Sequence, residues 1–295
     1  MSIVLEPVGA GLGKMASSED VLVNVIGKRP ENWEVGALTV TESFRTMTGD
    51  EAERNRYGEG SVVPIGEWHD CSIESLLTKV DVLDLHHNVV SHFCIDTESR
   101  AKATQFIEFA RGLHAHELIL NLSELGIHIE RDIFTSLANR FQLSLEPRFL
   151  GLNFNSPRLS TCTIDKSTNT LVGLHIDTWD HGLPDVRRVS RPRMSVNLGP
   201  GTRWFLFAPY SLDELLKHQE CNDHHGNEFH PNVGKLISQR VLRRVFALRL
   251  LPGEGYVAST DALIHESSTR GSSDANINLQ FLLQVRSPED GHEFG

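Results

Sequence analysis

The sequence has few cysteines, no long apolar run and fewer cationic than acidic side chains. Its four cysteines, Cys71, Cys94, Cys162 and Cys221, are scattered and show no CxxC spacing, which argues against a zinc ribbon or a disulfide framework. No stretch approaches the roughly 18 apolar residues of a membrane span. The N-terminus also lacks the apolar run after a basic start that marks a secretory signal. We therefore expect a cytoplasmic protein with reduced thiols and no membrane partner.

The charge balance bears on the partners of the protein. The 295 residues include 28 Lys and Arg against 39 Asp and Glu, which gives a formal net charge of −11. Because nucleic-acid binders depend on cationic side chains that meet phosphates, we expect no nucleic-acid partner. A local basic pocket can still lie within an acidic protein, so a small-molecule substrate is compatible with this charge. No feature of the sequence indicates the oligomeric state.

The hydrophobic pattern changes near residue 144. Residues 1–60 have a weak pattern that indicates irregular structure with short strands, whereas residues 99–141 place apolar side chains at helical spacing. From residue 145 onward, short apolar runs between turn residues predict strands, with two helical inserts, SLDELLKHQE and VGKLISQRVLRRVF. The predicted strands are LEPRFLGLNF, LSTCTI, TLVGLHI, RMSVNLG, RWFLFAP, FALRLL, GYVAST and INLQFLLQV.

Helices followed by many short strands are typical of an α+β chain with a double-sheet core. We predict a double-stranded β-helix of the jelly-roll or cupin-like kind over residues 145–295. Residues 1–144 would form an irregular and helical N-terminal support region. With no convincing linker and no repeat in the sequence, we expect one domain over 1–295.

The segment LVGLHIDTWD contains the most informative pair of residues. His175 and Asp177 are two residues apart in a run that predicts a strand, so both side chains would point to one face and reach one metal ion. His265, in the strand-like DALIHESS, is the natural third ligand. Two histidines and one carboxylate on one face suit non-haem iron(II), which needs open positions for a co-substrate and oxygen. The same ligands on tetrahedral zinc would indicate hydrolysis.

The C-terminal portion, about Leu145 to Arg286, resembles the 2-oxoglutarate-dependent oxygenases, which carry an HxD…H triad on a double-stranded β-helix. PGEGYVASTDALIHESS is similar to the segment that holds their distal histidine. The resemblance implies Fe(II), 2-oxoglutarate as co-substrate, and O2. It further implies oxidation of a C–H bond by hydroxylation, desaturation or cyclisation, and the carboxylate of Asp177 argues against halogenation. The length and the acidic composition favour a small substrate, such as an amino acid or an intermediate of natural-product biosynthesis.

In the family that the chain resembles, the far carboxylate of 2-oxoglutarate is bound by a cation. Arginine suits this task because its planar fork forms two parallel hydrogen bonds to a carboxylate. The usual window after the distal histidine contains Asn276 and Asn278 here but no arginine. This departure from the family pattern leaves the anchoring residue open.

Three arginines are candidates for the anchor. In the cupin-like branch, which includes the JmjC demethylases and asparaginyl hydroxylases, a lysine at the start of the strand after the HxD has this role. The similar segment GTRWFLFAP gives the role to Arg203, which we favour. Arg270, five residues after His265, and Arg193, at the start of RMSVNLG, are the alternatives. Asn197 alternates with Arg193 along one strand face and is a further candidate to bind oxoglutarate.

Two other functions stay open at the level of sequence. One is a non-catalytic cupin-type protein that binds a metal or small ligand, and the other is a zinc hydrolase with the same three ligands. The segment HQECNDHHGNEFH, residues 218–230, contains several metal-binding residue types. Because it lies among polar residues between the two helical inserts, we predict a flexible loop there, of the kind that covers active sites.

Overall fold

The structure is a computed structural model in which antiparallel strands dominate and helices are few. The described residues are 22–26, 37–71, 77–80, 89–110, 128–141, 147–177, 187, 190–218, 222–225 and 228–283. The helices in these ranges are α1 (Gly49–Arg54), α2 (Thr97–Ala110), α3 (Ile129–Phe141), α4 (Leu212–Leu216) and α5 (Val233–Ser238). No helix in these ranges combines the length and the apolar character needed to span a membrane.

The strands fall into two large sheets and three small pairs. In the N-terminal half they are β1 (Leu22–Ile26), β2 (Leu38–Thr41), β3 (Phe44–Thr46), β4 (Val62–Pro64), β5 (His69–Asp70), β6 (Leu77–Val80) and β7 (Val89–Cys94). In the middle of the chain they are β8 (Pro147–Asn155), β9 (Ile164–Asp165), β10 (Thr170–Leu171), β11 (Arg193–Pro200) and β12 (Arg203–Phe207). The last are β13 (Asn222–His225), β14 (Glu228–Pro231), β15 (Val245–Leu250), β16 (Glu254–Ala258), β17 (His265–Ser268) and β18 (Asn276–Leu283).

The larger sheet has seven strands in the order β6-β1-β7-β16-β11-β18-β8. Its pairs are antiparallel except those of β1, which runs parallel to β6 and β7. The smaller sheet has five antiparallel strands in the order β17-β12-β15-β2-β5. Strands from the N-terminal half therefore extend both sheets, and β7 and β2 lie directly beside strands of the C-terminal half.

The two sheets pack against each other, and helices cover their outer faces. One apolar cluster joins Phe205 and Phe207 of β12 to Tyr256 and Ala258 of β16, and so lies between the sheets. A second cluster packs α2 and α3 on the outer face of the seven-stranded sheet. A third packs α4 and α5 on the outer face of the five-stranded sheet. The α+β prediction is confirmed.

Alternation along the strands positions the polar residues. On β11, Met194, Val196 and Leu198 belong to the outer cluster under the helices. The residues that alternate with them, Arg193, Ser195 and Asn197, are buried on the inner side that faces the other sheet. The sequence thus places a polar inner row next to an apolar outer row.

Most of the predicted strands are confirmed, but the core is not a closed barrel in the residues that the structure describes. β8, β11, β12, β15, β16 and β18 correspond to segments predicted as strands from short apolar runs between turn residues. The jelly-roll topology and the single domain over 1–295 stay predictions.

Four segments differ from the prediction. LSTCTI and TLVGLHI were each expected to be strands, but only Ile164–Asp165 and Thr170–Leu171 are. The second helical insert ends at Ser238, and Val245 already belongs to β15. Segment 218–230, expected to be a loop, contains the antiparallel pair β13 and β14. Of the long helical region expected over 99–141, residues 111–127 lie outside the described residues.

Candidate metal centre

His175 and His265 are backbone partners although the chain between them is long. His175 follows β10 and forms an isolated bridge with His265 at the start of β17. Its amide donates to the carbonyl of His265 at 3.1 Å, and the amide of His265 donates back at 2.8 Å. The amide of Asp177 donates to the carbonyl of Thr260 at 3.1 Å. These bonds bring all three predicted ligands to one place.

The three side chains converge on a single point. His175 Nε2 lies 3.5 Å from Asp177 Oδ1, and His265 Nε2 lies 3.6 Å from Asp177 Oδ2. The imidazole rings have their centroids 4.7 Å apart. One ligand atom from each residue can be chosen so that all lie within 4.8 Å of one another. This geometry fits one small metal ion bound by two nitrogens and one oxygen.

The other nitrogen of each imidazole ring is engaged by the backbone. His175 Nδ1 lies 2.8 Å from the carbonyl oxygen of Gly173, and His265 Nδ1 lies 3.0 Å from that of Leu263. Since a carbonyl can only accept, Nδ1 carries the proton and Nε2 keeps its lone pair. Metal-binding histidines usually show this arrangement. His265 Nε2 is buried and has no hydrogen-bond partner among the described residues, as expected of a ligand atom.

Asp177 is held from both ends. Arg193 Nη2 lies 2.5 Å from Asp177 Oδ2. Arg187 donates through Nη1 to the main-chain carbonyls of Asp177 at 2.8 Å and Asp261 at 3.0 Å. Burial alone would raise the pKa of the Asp177 carboxyl, but Arg193 and the two histidines hold it well below its usual range. The group is therefore a carboxylate, the form that binds metal.

The two histidines differ in their electrostatic environment. Burial, aided by the nearby His175 and Arg193, lowers the pKa of His265 to about 3, although Asp177 opposes the shift. Burial also acts to lower the pKa of His175, but Asp177 and Glu266 outweigh it and raise that pKa. His265 is thus the more readily available neutral ligand.

Glu266 is a buried carboxylate behind the triad that the sequence analysis did not identify. Its Oε1 accepts hydrogen bonds from the amide and hydroxyl of Thr163 at 3.2 and 2.7 Å and from the amide of Ser267 at 2.7 Å. Its Oε2 lies 3.7 Å from His175 Nδ1. The only signal in the sequence is its position directly after His265.

A cavity of about 570 Å³ opens beside Asp177 and His265. Small-ligand sites usually have volumes of roughly 300–1,000 Å³. Arg193, Arg203 and Tyr256 line the wall nearest the triad. Tyr256 is buried, and this raises its pKa although both arginines act to lower it. Its neutral hydroxyl was not identified from the sequence, where it stands among ordinary strand residues.

Arg203 has the environment expected of an anion-binding residue. Its side chain is only 3% exposed, and it lines the same cavity as Asp177 and His265. Nη1 donates to Asn276 Oδ1 at 3.3 Å, and Nε has no hydrogen-bond partner in the part of the chain that the structure describes. No carboxylate among those residues pairs with it. A buried cation without an anion is costly, and an anionic ligand would remove that cost.

Arg270 lies outside this cavity. Its guanidinium stacks between two indole rings, 4.1 Å from the centroid of Trp68 and 4.0 Å from that of Trp204. Nη2 donates to Thr39 Oγ1 at 2.7 Å, and burial lowers the pKa of Arg270 to about 10. The structure therefore brings Arg193 and Arg203, but not Arg270, to the cavity beside the triad.

Asn197 is fully occupied by the protein itself. Its Nδ2 donates to the carbonyls of Gly201 at 3.0 Å and Leu250 at 2.8 Å. Its Oδ1 accepts from the amide of Gly199 at 2.8 Å and from Asn276 Nδ2 at 2.6 Å. Asn276 in turn accepts the hydrogen bond from Arg203, so Asn197 positions Arg203 through Asn276. Asn197 has no donor left for a ligand.

Replacing Asn197 with alanine is therefore expected to destabilise the fold. The change leaves buried backbone groups unpaired, each at a cost of about 1–3 kcal/mol, so we expect a loss of at least about 2 kcal/mol in the free energy of unfolding. Urea denaturation measures it. The control is Asn153→Ala, because Asn153 is an exposed asparagine of β8, two strands from Asn197 in the same sheet. This change should alter the free energy of unfolding by less than about 0.5 kcal/mol. Equal stability of the two variants would contradict the structural role of Asn197.

No protein-family model matches the chain, and no curated protein matches its sequence.

Proposed function

We propose that this chain is an iron(II)- and 2-oxoglutarate-dependent oxygenase that oxidises a C–H bond of a small molecule. One observation carries the proposal. The Nε2 atoms of His175 and His265 converge on the carboxylate of Asp177 beside a cavity that also contains Arg203. A metal site and a buried cation without an anionic partner among the described residues thus share one cavity. An anionic co-substrate that chelates iron would satisfy both.

The arrangement of the sheets supports a double-stranded β-helix of the jelly-roll kind. β11 and β16 lie side by side in the larger sheet, β12 and β17 in the smaller one, and an apolar cluster joins the inner faces. Arg193 and Arg203 extend from the two opposite sheets into the same cavity. Such cores carry their site between the sheets, at residues that alternate with the apolar ones.

The donor set suits iron(II) and differs from that of a closed structural zinc site. Two imidazole nitrogens and one carboxylate oxygen leave the cavity side of the centre open, as iron oxygenases require. Bound iron would supply the redox chemistry that joins oxygen and 2-oxoglutarate to the oxidation of a C–H bond. A structural zinc site would instead be closed by four protein ligands, and the residues described here provide three.

The other residues of the site would bind the co-substrate and orient the metal ligands. Arg203 would hold the far carboxylate of 2-oxoglutarate through its two outer nitrogens, with Asn276 fixing the angle of its guanidinium. Arg193 fixes the rotamer of Asp177 and keeps it ionised. Tyr256, which lines the cavity, stacks on Phe205 with their ring centroids 3.9 Å apart. Hydroxylation, desaturation and cyclisation are all compatible with this arrangement, and the substrate would be an amino acid or a natural-product intermediate.

Succinate formation tests the proposal. The purified protein with added Fe(II), ascorbate and 2-oxoglutarate should release succinate, and its rate should rise with the correct member of a panel of amino acids and related small molecules. Because Asp177 occupies the position that halogenases leave open, the product should gain oxygen or lose hydrogen without gaining chlorine. Mass spectrometry of reactions run in chloride buffer measures the product.

The alternative functions give different outcomes. A zinc hydrolase would depend on zinc for its hydrolytic activity, and it would require neither Fe(II) nor 2-oxoglutarate. A non-catalytic cupin would bind metal and form no succinate with any member of the panel. Replacing Fe(II) with Zn(II) in the same assay is the control, since zinc should occupy the triad and support no succinate release.

A further inference from the structure

The cavity beside the triad is more cationic than the protein around it. Its described walls include four cationic side chains, Arg148, Lys166, Arg193 and Arg203, and two acidic ones, Asp177 and Glu266. The local balance is 4 − 2 = +2, whereas the whole chain carries −11. A basic cavity in an acidic protein concentrates small anions and disfavours cations.

Part of this positive charge is already matched. Arg193 is paired with Asp177 at 2.5 Å, and Arg203 is the residue assigned above to 2-oxoglutarate. Glu266 directs one oxygen to Thr163 and the other toward His175, and among the described residues it forms no ion pair with the remaining cations.

Arg148 and Lys166 remain after this assignment. Both side chains are exposed and line the cavity, Arg148 on the edge strand β8 and Lys166 in the turn after β9. Neither forms an ion pair or a side-chain hydrogen bond with the other residues that the structure describes. Two unmatched cations from separate elements thus face one cavity.

The register of the larger sheet places Arg148 two strands from Arg193, the arginine that contacts Asp177. Arg148 pairs with Leu282, and Leu282 pairs with Arg193, whose guanidinium contacts Asp177. Neighbouring strands lie about 4.8 Å apart, so the backbone of Arg148 is about 10 Å from that of Arg193. An anion bound by Arg148 would therefore place the C–H bonds of a small molecule near the triad.

The opposite end of β8 lies beside Arg203, the residue proposed to bind the carboxylate of 2-oxoglutarate. Asn155 pairs with Asn276, the residue that contacts Arg203, and it lines the cavity with only 9% of its surface exposed. Its Nδ2 has no hydrogen-bond partner among the described residues. A buried donor beside Arg203 suits the co-substrate carboxylate at this end, and Arg148 lies at the other end of the same strand.

We propose that the molecule oxidised at this centre is a small organic acid, whose carboxylate is bound by Arg148 and Lys166. The arginine supplies a planar fork for the carboxylate, and the lysine adds a second positive charge. The identity of this acid as a substrate rests on the proposed function, whereas the binding of the anion does not. Sulfonates and phosphonates share the recognition chemistry, so the experiment includes them.

Ligand-observed NMR on the full chain tests the proposal. The probes are hexanoate, 3-phenylpropanoate and N-acetylalanine, each with its methyl ester and with the corresponding sulfonate or phosphonate where one exists. They are measured with and without Fe(II) and 2-oxoglutarate under argon. At least one acid should bind roughly tenfold more tightly than its ester, and Arg148→Gln should reduce that acid to the level of the ester. Lys166→Gln should cause a smaller loss in the same direction.

Arg131→Gln, which changes an exposed arginine of α3 away from the cavity, is the matched control and should leave the preference for acids unchanged. Equal binding of acids and esters would overturn the proposal, as would the absence of binding by any acid. Loss of the preference in Arg203→Gln but not in Arg148→Gln would overturn it too. Tighter binding of the sulfonates or phosphonates would overturn the carboxylate as the anion that this site prefers.

Succinate release is followed in parallel, so that the two proposals can fail separately. Arg148-dependent binding of acids without any succinate would support the anion site and contradict the oxygenase. Succinate release stimulated only by neutral or cationic molecules would support the oxygenase and overturn the acid as its substrate.

Discussion

Alanine in place of His175 or His265 is expected to lower iron(II) affinity by at least about 100-fold and to abolish turnover. Removing a partner that merely orients a metal ligand already costs about 10–100-fold in affinity, and removing the ligand itself should cost more. His265 Nε2 is buried and has no hydrogen-bond partner in the described part of the chain. The contact that its removal eliminates should therefore be the one with the metal. Anaerobic titration with Fe(II) measures the affinity, and the succinate assay measures turnover.

His128→Ala is the control for this experiment. His128 is exposed, contacts only Glu130 through its ring in the described structure, and lies away from the triad. Its variant should bind iron like the unchanged protein. Full iron binding and turnover in both triad variants would show that the metal is bound elsewhere.

Arg203→Ala is expected to raise the KM for 2-oxoglutarate by about thirtyfold or more while iron(II) binding is kept. Truncating one partner of a buried, hydrogen-bonded charge pair costs about 2–5 kcal/mol, and about 1.4 kcal/mol corresponds to tenfold. Arg203 forms no hydrogen bond or ion pair with the triad residues in the structure, so the metal ligands should stay in place. Steady-state kinetics with varied 2-oxoglutarate give the KM, and a colorimetric chelation assay gives the iron content.

Arg270→Ala separates this role from a general structural effect. Because Arg270 is stacked between Trp68 and Trp204 outside the cavity, its loss should lower the Tm and change the KM by less than about threefold. Arg203→Lys should recover part of the lost affinity, since it restores the charge without the planar fork. A large rise in KM for Arg270→Ala with little change for Arg203→Ala would move the anchor to the loop after His265.

The sequence predicted the strands best where apolar and polar residues alternate over a full strand. β11 is such a case, because Met194, Val196 and Leu198 face the helices while the residues between them face the other sheet. Alternation failed at TLVGLHI. Gly173 there has a φ of +77°, and a Cβ at this position would lie 2.5 Å from the carbonyl oxygen of Val62. This backbone conformation ends the strand before His175, and composition alone does not reveal it.

The candidate site was only partly predictable for a similar reason. The spacing of His175 and Asp177 is local, so the pair was visible in the sequence. Tyr256 reaches the centre through long-range packing, and its neighbours in the sequence carry no signal of it. Glu266 follows His265 directly, but its contact with His175 depends on the fold. Asn197 looked like a ligand from its position on β11, but two of its four hydrogen bonds join it to Leu250 and Asn276, which are distant in sequence.

The paired backbone hydrogen bonds between His175 and His265 have a consequence for metal loading. They close a long loop of chain through the protein's own amide and carbonyl groups, so the entropy of loop closure is lost on folding and not when the ion arrives. The fold itself thus preorganises the three candidate ligands. The proposed ion would then leave and return without unfolding the chain, and we expect the apoprotein to be a stable starting point for reconstitution with different metals.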